Sequence, residues 1–140
     1  MEVNKLEKNI LLFLIPKVEV EYVLNTFTIR QVIEKMDYHH YSEIPVLDND
    51  GKYLGTISDG DILRHLKKYK LNWEETMIDK ISIVPVLHHI EPIQINKNMM
   101  DLVEIIVRQN FVPVIDDRGN FIGIVTRKAV IEYMRKNLKD

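Results

Sequence analysis

Two short stretches carry side chains able to hold an anion. Ser58-Asp59-Gly60-Asp61 and Thr126-Arg127-Lys128 each follow a glycine and an apolar run, and each opens onto a helical pattern. A helix start leaves backbone N–H groups unpaired and carries the positive end of the macrodipole, so phosphate is its natural guest. Arg127 can fork onto phosphate oxygens, whereas an ionised Asp61 accepts hydrogen bonds and donates none. A plainer reading stands beside each. Ser58 and Asp61 have the spacing of a capping box, which stabilises a helix by on the order of 1 kcal/mol without any ligand. Arg127 and Lys128 read equally as a solvated helix start, except that two cations at a positive dipole end are unfavourable until an anion compensates them.

Other residue types narrow the chemistry. Tyr41 and Phe111 approach Ile44-Pro45-Val46 and Val112-Pro113-Val114, where an aromatic face either stacks on a base or packs into a core. The adjacent pairs His39-His40 and His88-His89 point to opposite faces if extended, and no cysteine or fixed acidic spacing supports them, so no metal site is assigned. No Gly-x-Ser-x-Gly, P-loop or base-adjacent nucleophile occurs, and the chain is not expected to be an enzyme. With no cysteine there is no disulfide or thiolate chemistry, in keeping with a cytoplasmic protein. A net charge of −2 supplies no global field for a nucleic acid. The longest apolar run, from Ile10 to Ile15, falls far short of the roughly 20 residues of a membrane span, so no membrane association is expected.

The elements that must position these residues come from an internal duplication. Ile44-Pro45-Val46-Leu47-Asp48 overlays Val112-Pro113-Val114-Ile115-Asp116 at an offset of 113 − 45 = 68. The same offset pairs Gly51 with Gly119, Gly55 with Gly123, and Ile57-Ser58 with Val125-Thr126. Upstream the offset becomes 70: Ile29, Val32, Ile33 and Met36 match Met99, Leu102, Val103 and Ile106, each the apolar stripe of one helix. Thr28 with Gln31, and Asn98 with Asp101, cap those helices. Because copy two lacks two residues here, Tyr38-His39-His40-Tyr41 is expected to be the longer turn. The hairpin loops are Asp48-Asn49-Asp50-Gly51 and Asp116-Asp117-Arg118-Gly119. The last helix of each copy is expected to bury Ile62, Leu63 and Leu66, or Val130, Ile131 and Met134. Pro16 to Val23 alternates like a half-buried edge strand, Ile81 to Leu87 reads as an extended lead-in, and Asn72 to Glu75 reads as a capped short helix. The fold class is α+β, two βαββα units with helices on one side of each sheet. Residues 1–16 form an N-terminal segment, 17–70 repeat one with its lead-in strand, 71–83 a connector and 84–140 repeat two with its own lead-in.

These paired patterns resemble tandem CBS domains, a Bateman module. The resemblance rests on Ile44 to Asp48 with Gly55-Thr56-Ile57-Ser58-Asp59-Gly60-Asp61, and on Val112 to Asp116 with Gly123-Ile124-Val125-Thr126-Arg127, and runs from about Lys17 to about Leu138. It implies two repeats related by a pseudo-two-fold axis and packed through their sheets, a homodimer, and clefts that take adenine nucleotides as regulatory ligands rather than cofactors. Carried over, Ser58 and Asp61 would hold phosphate and ribose, with Tyr41, Ser42 and Ile44 walling the base. In copy two the counterparts are Asn110, Phe111 and Thr126, but Ala129 replaces the ribose-binding Asp. Thr126-Arg127-Lys128 is instead similar to the Thr-Arg-Arg of small two-CBS proteins that bind cyclic di-AMP, in which a lysine of the lead-in strand, here Lys17, and a Tyr-Thr-Ala segment, here Tyr41-Ser42-Glu43, complete the site. The implied function is an adenine-nucleotide sensor (AMP, ADP, ATP or cyclic di-AMP) regulating a partner protein in trans. The alternative is a dimerising scaffold that needs no ligand.

Overall fold

The computed structural model describes residues 9–86 and 89–138. Its elements are β1 (Ile15–Pro16), β2 (Val23–Leu24), α1 (Ile29–His39), β3 (Glu43–Leu47), β4 (Tyr53–Ser58), α2 (Asp59–Tyr69), β5 (Ile93–Gln94), α3 (Met99–Ile106), β6 (Phe111–Ile115), β7 (Phe121–Thr126) and α4 (Arg127–Leu138). Two compact units result: Glu21–His89, and Ile90–Asp140 joined by Met1–Val20. Each contains the order βαββα, so the duplicated α+β architecture read from the sequence is the one observed.

The unit 21–89 has a three-stranded sheet ordered β2-β3-β4, parallel between β2 and β3 and antiparallel between β3 and β4. Its core joins Val23, Ile44 and Ile57 of the sheet to Ile29, Val32 and Met36 of α1 and Ile62 of α2. Ile81 and Val84, from the segment that leads into copy two, close this same core. The other unit has a four-stranded sheet ordered β1-β7-β6-β5, with Ile93, Val112, Val114 and Val125 packed on Met99, Leu102 and Ile106 of α3 and Val130 of α4. Its core also holds Ile10, from the segment that leads into copy one. Each lead-in thus packs with the other copy.

Local chemistry explains the repeated pieces. Both stripe helices start in full capping boxes: Thr28 Oγ1 accepts from Gln31 N at 3.2 Å, and Asn98 Oδ1 accepts from Asp101 N at 3.0 Å. Asp48 Oδ1 accepts from the N–H groups of Asp50 and Lys52, and Asp116 Oδ1 from those of Arg118 and Asn120, all at 2.9 Å. Gly51 and Gly119 complete these turns at φ 87° and 84°. Gly123, at φ 155°, lies so close to β1 that a Cβ there would stand 2.1 Å from the Ile15 carbonyl oxygen.

Several expectations are corrected. Residues 16–23 are not one edge strand: β1 ends at Pro16, which lacks an N–H, and a 3-10 turn over Lys17–Glu19 follows, closed by Val20 N–H donating to Lys17 O at 3.1 Å. Lys17 is therefore in that turn and not in a strand, and Val18, placed on the buried face by alternation, is 93% exposed. Tyr38 and His39 extend α1 by its last turn instead of lengthening the loop, so α1 has 11 residues and α3 has 8. Ile81–Ile83 is a 3-10 turn, and Leu87 lies outside the described residues. The connector's 3-10 turn is Glu75–Met77, with Asn72 Oδ1 accepting from Glu75 N at 2.9 Å. Leu63 and Ile131 are 67% and 53% exposed, because the core faces of α2 and α4 centre on Ile62 and Val130 and the next residue is turned 100° away.

Candidate functional site

In the unit 21–89, the candidate residues gather where β4 turns into α2. The backbone of Ser58 is extended and that of Asp59 helical, so the chain changes direction at the N-cap. Ser58 Oγ accepts from Asp61 N at 3.0 Å, and Asp61 Oδ2 accepts from Ser58 N at 2.9 Å. The other carboxylate oxygen accepts from Arg64 Nη2 at 2.7 Å, and Asp61 is only 3% exposed. Both oxygens thus serve the helix start. A ribose reaching Asp61 would compete with Arg64. Arg64 escaped the sequence reading, although its place three residues after Asp61 is a helix-pairing distance.

The segment entering β3 is tied to this helix start, since Asp59 N–H donates to Ser42 O at 2.9 Å and Glu43 sits opposite Ser58 in the β3/β4 register. A cavity of about 730 Å³ opens there between α1 and α2. Tyr41, Ser42, Asp59 and Gly60 line its polar end, and Met36, Ile62 and Leu66 its apolar side. Ile44 does not join them, being fully buried in the core. Beyond the cavity, Tyr53 and Thr56 share a hydrogen bond of 2.7 Å on β4. Burial pushes the Tyr53 phenol up to about 12, opposed by the Thr56 bond and reinforced by the Glu43 carboxylate.

The other unit repeats this junction with different chemistry. Arg127 N–H donates to Asn110 O at 2.8 Å, the counterpart of the Asp59 to Ser42 bond at the same offset of 127 − 59 = 68. Thr126 Oγ1 accepts from Ala129 N at 3.2 Å and caps α4, while Phe111 lies opposite Thr126 in the β6/β7 register. No carboxylate stands where Asp61 stands in copy one. Arg127 Nε donates to Ile106 O at 2.9 Å, placing a cation on the last carbonyls of α3, where the helix dipole is negative. This anchor fixes the guanidinium stem beside the start of α4, and Lys128 is exposed on the first turn. Asn110, Phe111, Thr126, Arg127 and Lys128 are thus brought together. Lys17 follows Pro16, which pairs with Gly123, three residues and about 10 Å along β7 from Thr126.

Of the histidines considered for metal, His88 lies outside the described residues, and no group of three metal-ligating side chains occurs among the residues that are described. Nor is any helix among them long and apolar enough to cross a membrane.

Comparison with known proteins adds to this geometry. The sequence profile of the CBS domain matches residues 15–68 and 78–136. A crystal structure of CbpB in complex with c-di-AMP superposes with a TM-score of 0.88 at 31% identity, covering 99% of this chain and 92% of that one. CbpB from Streptococcus agalactiae gives a TM-score of 0.81 at 32% identity over 91% of this chain and 80% of its own. The Listeria monocytogenes CbpB protein in complex with c-di-AMP gives 0.79 at 26% identity, over 90% and 94%. Among curated sequences, an uncharacterized protein of Methanocaldococcus jannaschii is 30% identical, the match covering 74% of this chain and 79% of that protein. One from Methanopyrus kandleri is 24% identical, and the match spans about half of it, 54%.

Proposed function

The chain belongs to the CBS-domain family, and from that premise we propose that it is an adenine-nucleotide-sensing regulatory module whose preferred ligand is cyclic di-AMP. The observation that carries the preference is the start of α4. There Arg127 and Lys128 place two cations in a first helical turn that holds no acidic residue, with Arg127 offset in part by Ile106 O, so a ligand with two phosphates relieves the local field. At the start of α2, by contrast, Asp61 and Arg64 already neutralise one another. The CbpB proteins that were crystallised with c-di-AMP support the same ligand class. On the unit that contains α4, Asn110, Phe111, Thr126, Arg127 and Lys128 are the proposed contacts, with Lys17 a further cation; Tyr41 and Ser42 are proposed for the cavity of the unit 21–89. Ligand shifts the balance between two states of a homodimer by its differential affinity for them, and a partner protein in trans reads the shift.

The test is thermal stabilisation by AMP, ATP and cyclic di-AMP. A ligand at 100 times its dissociation constant adds about 2.7 kcal/mol, and no shift with any of the three defeats the sensor reading. A ligand-independent dimerising scaffold is the second reading. It is favoured by Leu63 and Ile131, exposed apolar residues at equivalent positions of α2 and α4. That reading expects self-association unchanged by nucleotide.

A further inference from the structure

The helix pairs α1/α2 and α3/α4 are equivalent in the repeat, and their outer faces agree in apolar residues while differing in charge. At the offsets of 70 and 68, Ile33, Leu63 and Leu66 of the first pair become Val103, Ile131 and Met134 of the second. Leu63 and Ile131 are 67% and 53% exposed, and the other four are half-buried. The rims beside them are not alike. In copy one Asp37 and Asp59 line the cavity between the two helices. At the same offsets copy two has Val107, 68% exposed, and Arg127, while Gly60 becomes Lys128. The bond from Arg127 Nε to Ile106 O holds that guanidinium stem between the end of α3 and the start of α4, the place that Asp59 occupies in copy one. Several other charges on these helices are matched within their own unit: Arg64 by Asp61, Arg30 by Glu34, Arg135 by Glu132 and Arg108 by Glu91. Two equivalent apolar faces therefore carry an acidic rim in one copy and a basic rim in the other.

We propose that the α1/α2 face of one molecule docks on the α3/α4 face of a second copy, so that the faces pair unlike with unlike. The inference rests on the homodimer of the reading above and names the surfaces that form it. Leu63 and Ile131 are covered by this pairing, and Asp37 and Asp59 meet Arg127 and Lys128. The opposite arrangement sets two carboxylates against two carboxylates, or two cations against two cations, and such juxtaposition is penalised at an interface. A basic partner of another kind would satisfy the α1/α2 face and leave the α3/α4 face bare. A second copy satisfies both with surfaces every chain carries in equal number, and this decides the occupant. Arg127 and Lys128 are also the proposed phosphate contacts, so the test is made without nucleotide.

The chain has no cysteine, so Leu63→Cys and Ile131→Cys each introduce a single thiol at an exposed position. Each variant is oxidised alone and in an equimolar mixture, and the products are resolved on a non-reducing gel. The mixture should yield a disulfide-linked dimer and neither variant alone should, because a disulfide needs Cα atoms within about 7 Å of one another. Sedimentation equilibrium of the double variant Asp37→Lys with Asp59→Lys, its fold verified by circular dichroism, should give a dissociation constant at least about tenfold above that of the parent at low salt. The difference should narrow at about 0.5 M salt. A like-on-like dimer would exchange repelling carboxylates for repelling lysines and keep its affinity. A mixture that forms no cross-link, cross-linking by either variant alone as efficient as in the mixture, or an unchanged dissociation constant overturns the pairing of unlike faces and leaves the homodimer standing. A parent chain that sediments as a monomer at every concentration overturns both, while the ligand reading is judged separately by its thermal shifts.

Discussion

Alanine at Gly123 and at Gly55 should separate two costs that usually arrive together. The two glycines are equivalent in the repeat, at φ 155° and 158°, so the backbone strain imposed by a Cβ is shared, about 1–3 kcal/mol at each. The surroundings differ. At Gly55 an added Cβ meets none of the described residues within 4 Å, whereas at Gly123 it would stand 2.1 Å from Ile15 O and 2.8 Å from Leu14 Cδ1. That oxygen belongs to the backbone, so β1 must move by more than 1 Å to reach an ordinary contact of about 3.4 Å. Displacing β1 removes its pairing with β7, at about 0.5–1.5 kcal/mol per hydrogen bond. If the segment lifts off, Ile10 is also uncovered from 0% exposure, about 1.5–3 kcal/mol more. Gly123→Ala should therefore be less stable than Gly55→Ala by about 2–5 kcal/mol. Urea denaturation followed by circular dichroism measures the difference from the midpoints, and limited proteolysis should find residues 9–20 newly cleavable in Gly123→Ala alone. Equal losses from the two substitutions, within about 0.5 kcal/mol, or an N-terminal segment as protected as in the parent, would refute the argument.

The other predictions are brief. Asp61→Ala should lower stability by about 1–2 kcal/mol in the absence of any ligand, because it removes a capping box; a melting curve unchanged by it would mean that the cap contributes nothing. Arg127→Ala should remove most of the thermal shift produced by cyclic di-AMP and cost little stability without ligand, since one charge-assisted bond to Ile106 O is all it breaks among the described contacts. Tyr53 holds its proton up to about 12 in the folded chain, against about 10 when unfolded. Its contribution is therefore whole below pH 10 and falls by about 1.4 kcal/mol per pH unit up to pH 12. In Tyr53→Phe that alkaline decline should be shallower in urea titrations at pH 9 to 11.5. Leu63→Asp with Ile131→Asp should lower the sedimentation coefficient if these faces join two copies, and leave it unaltered if they do not.

What could be read from the sequence was whatever is encoded over a few residues. The capping pairs Thr28–Gln31, Ser58–Asp61 and Asn98–Asp101, the Asp-to-Gly hairpin turns and the stripe helices all depend on contacts within one turn or one hairpin, and the duplication displayed each of them twice. Contacts between distant segments left weaker traces. A short apolar stretch such as Ile10 to Pro16 has the same composition whether it covers its own repeat or the other one, and the close approach of β1 was recorded solely as a glycine at 123. Leu63 and Ile131 looked like core because hydrophobicity does not report which of two adjacent helical positions faces inward. At the candidate site the residue types were legible and their partners less so. The pairing of Asp61 with Ser58 and Arg64 needed coordinates.

The β1/β7 pair also bears on the order in which the molecule assembles. Ile15 and Ile124 face one another across 124 − 15 = 109 residues of chain, whereas every strand partner in the unit 21–89 lies within a few dozen residues. Loops of that length close late in folding, because their entropic cost precedes any contact that could offset it. During synthesis the segment carrying β1 leaves the ribosome ahead of the other strands described, yet it must wait for β7, which follows all of them. Until then the apolar side chains from Ile10 to Ile15 have no sheet to cover, so the nascent chain, with copy one already folded, is the stage at which this protein is most exposed to wrong association.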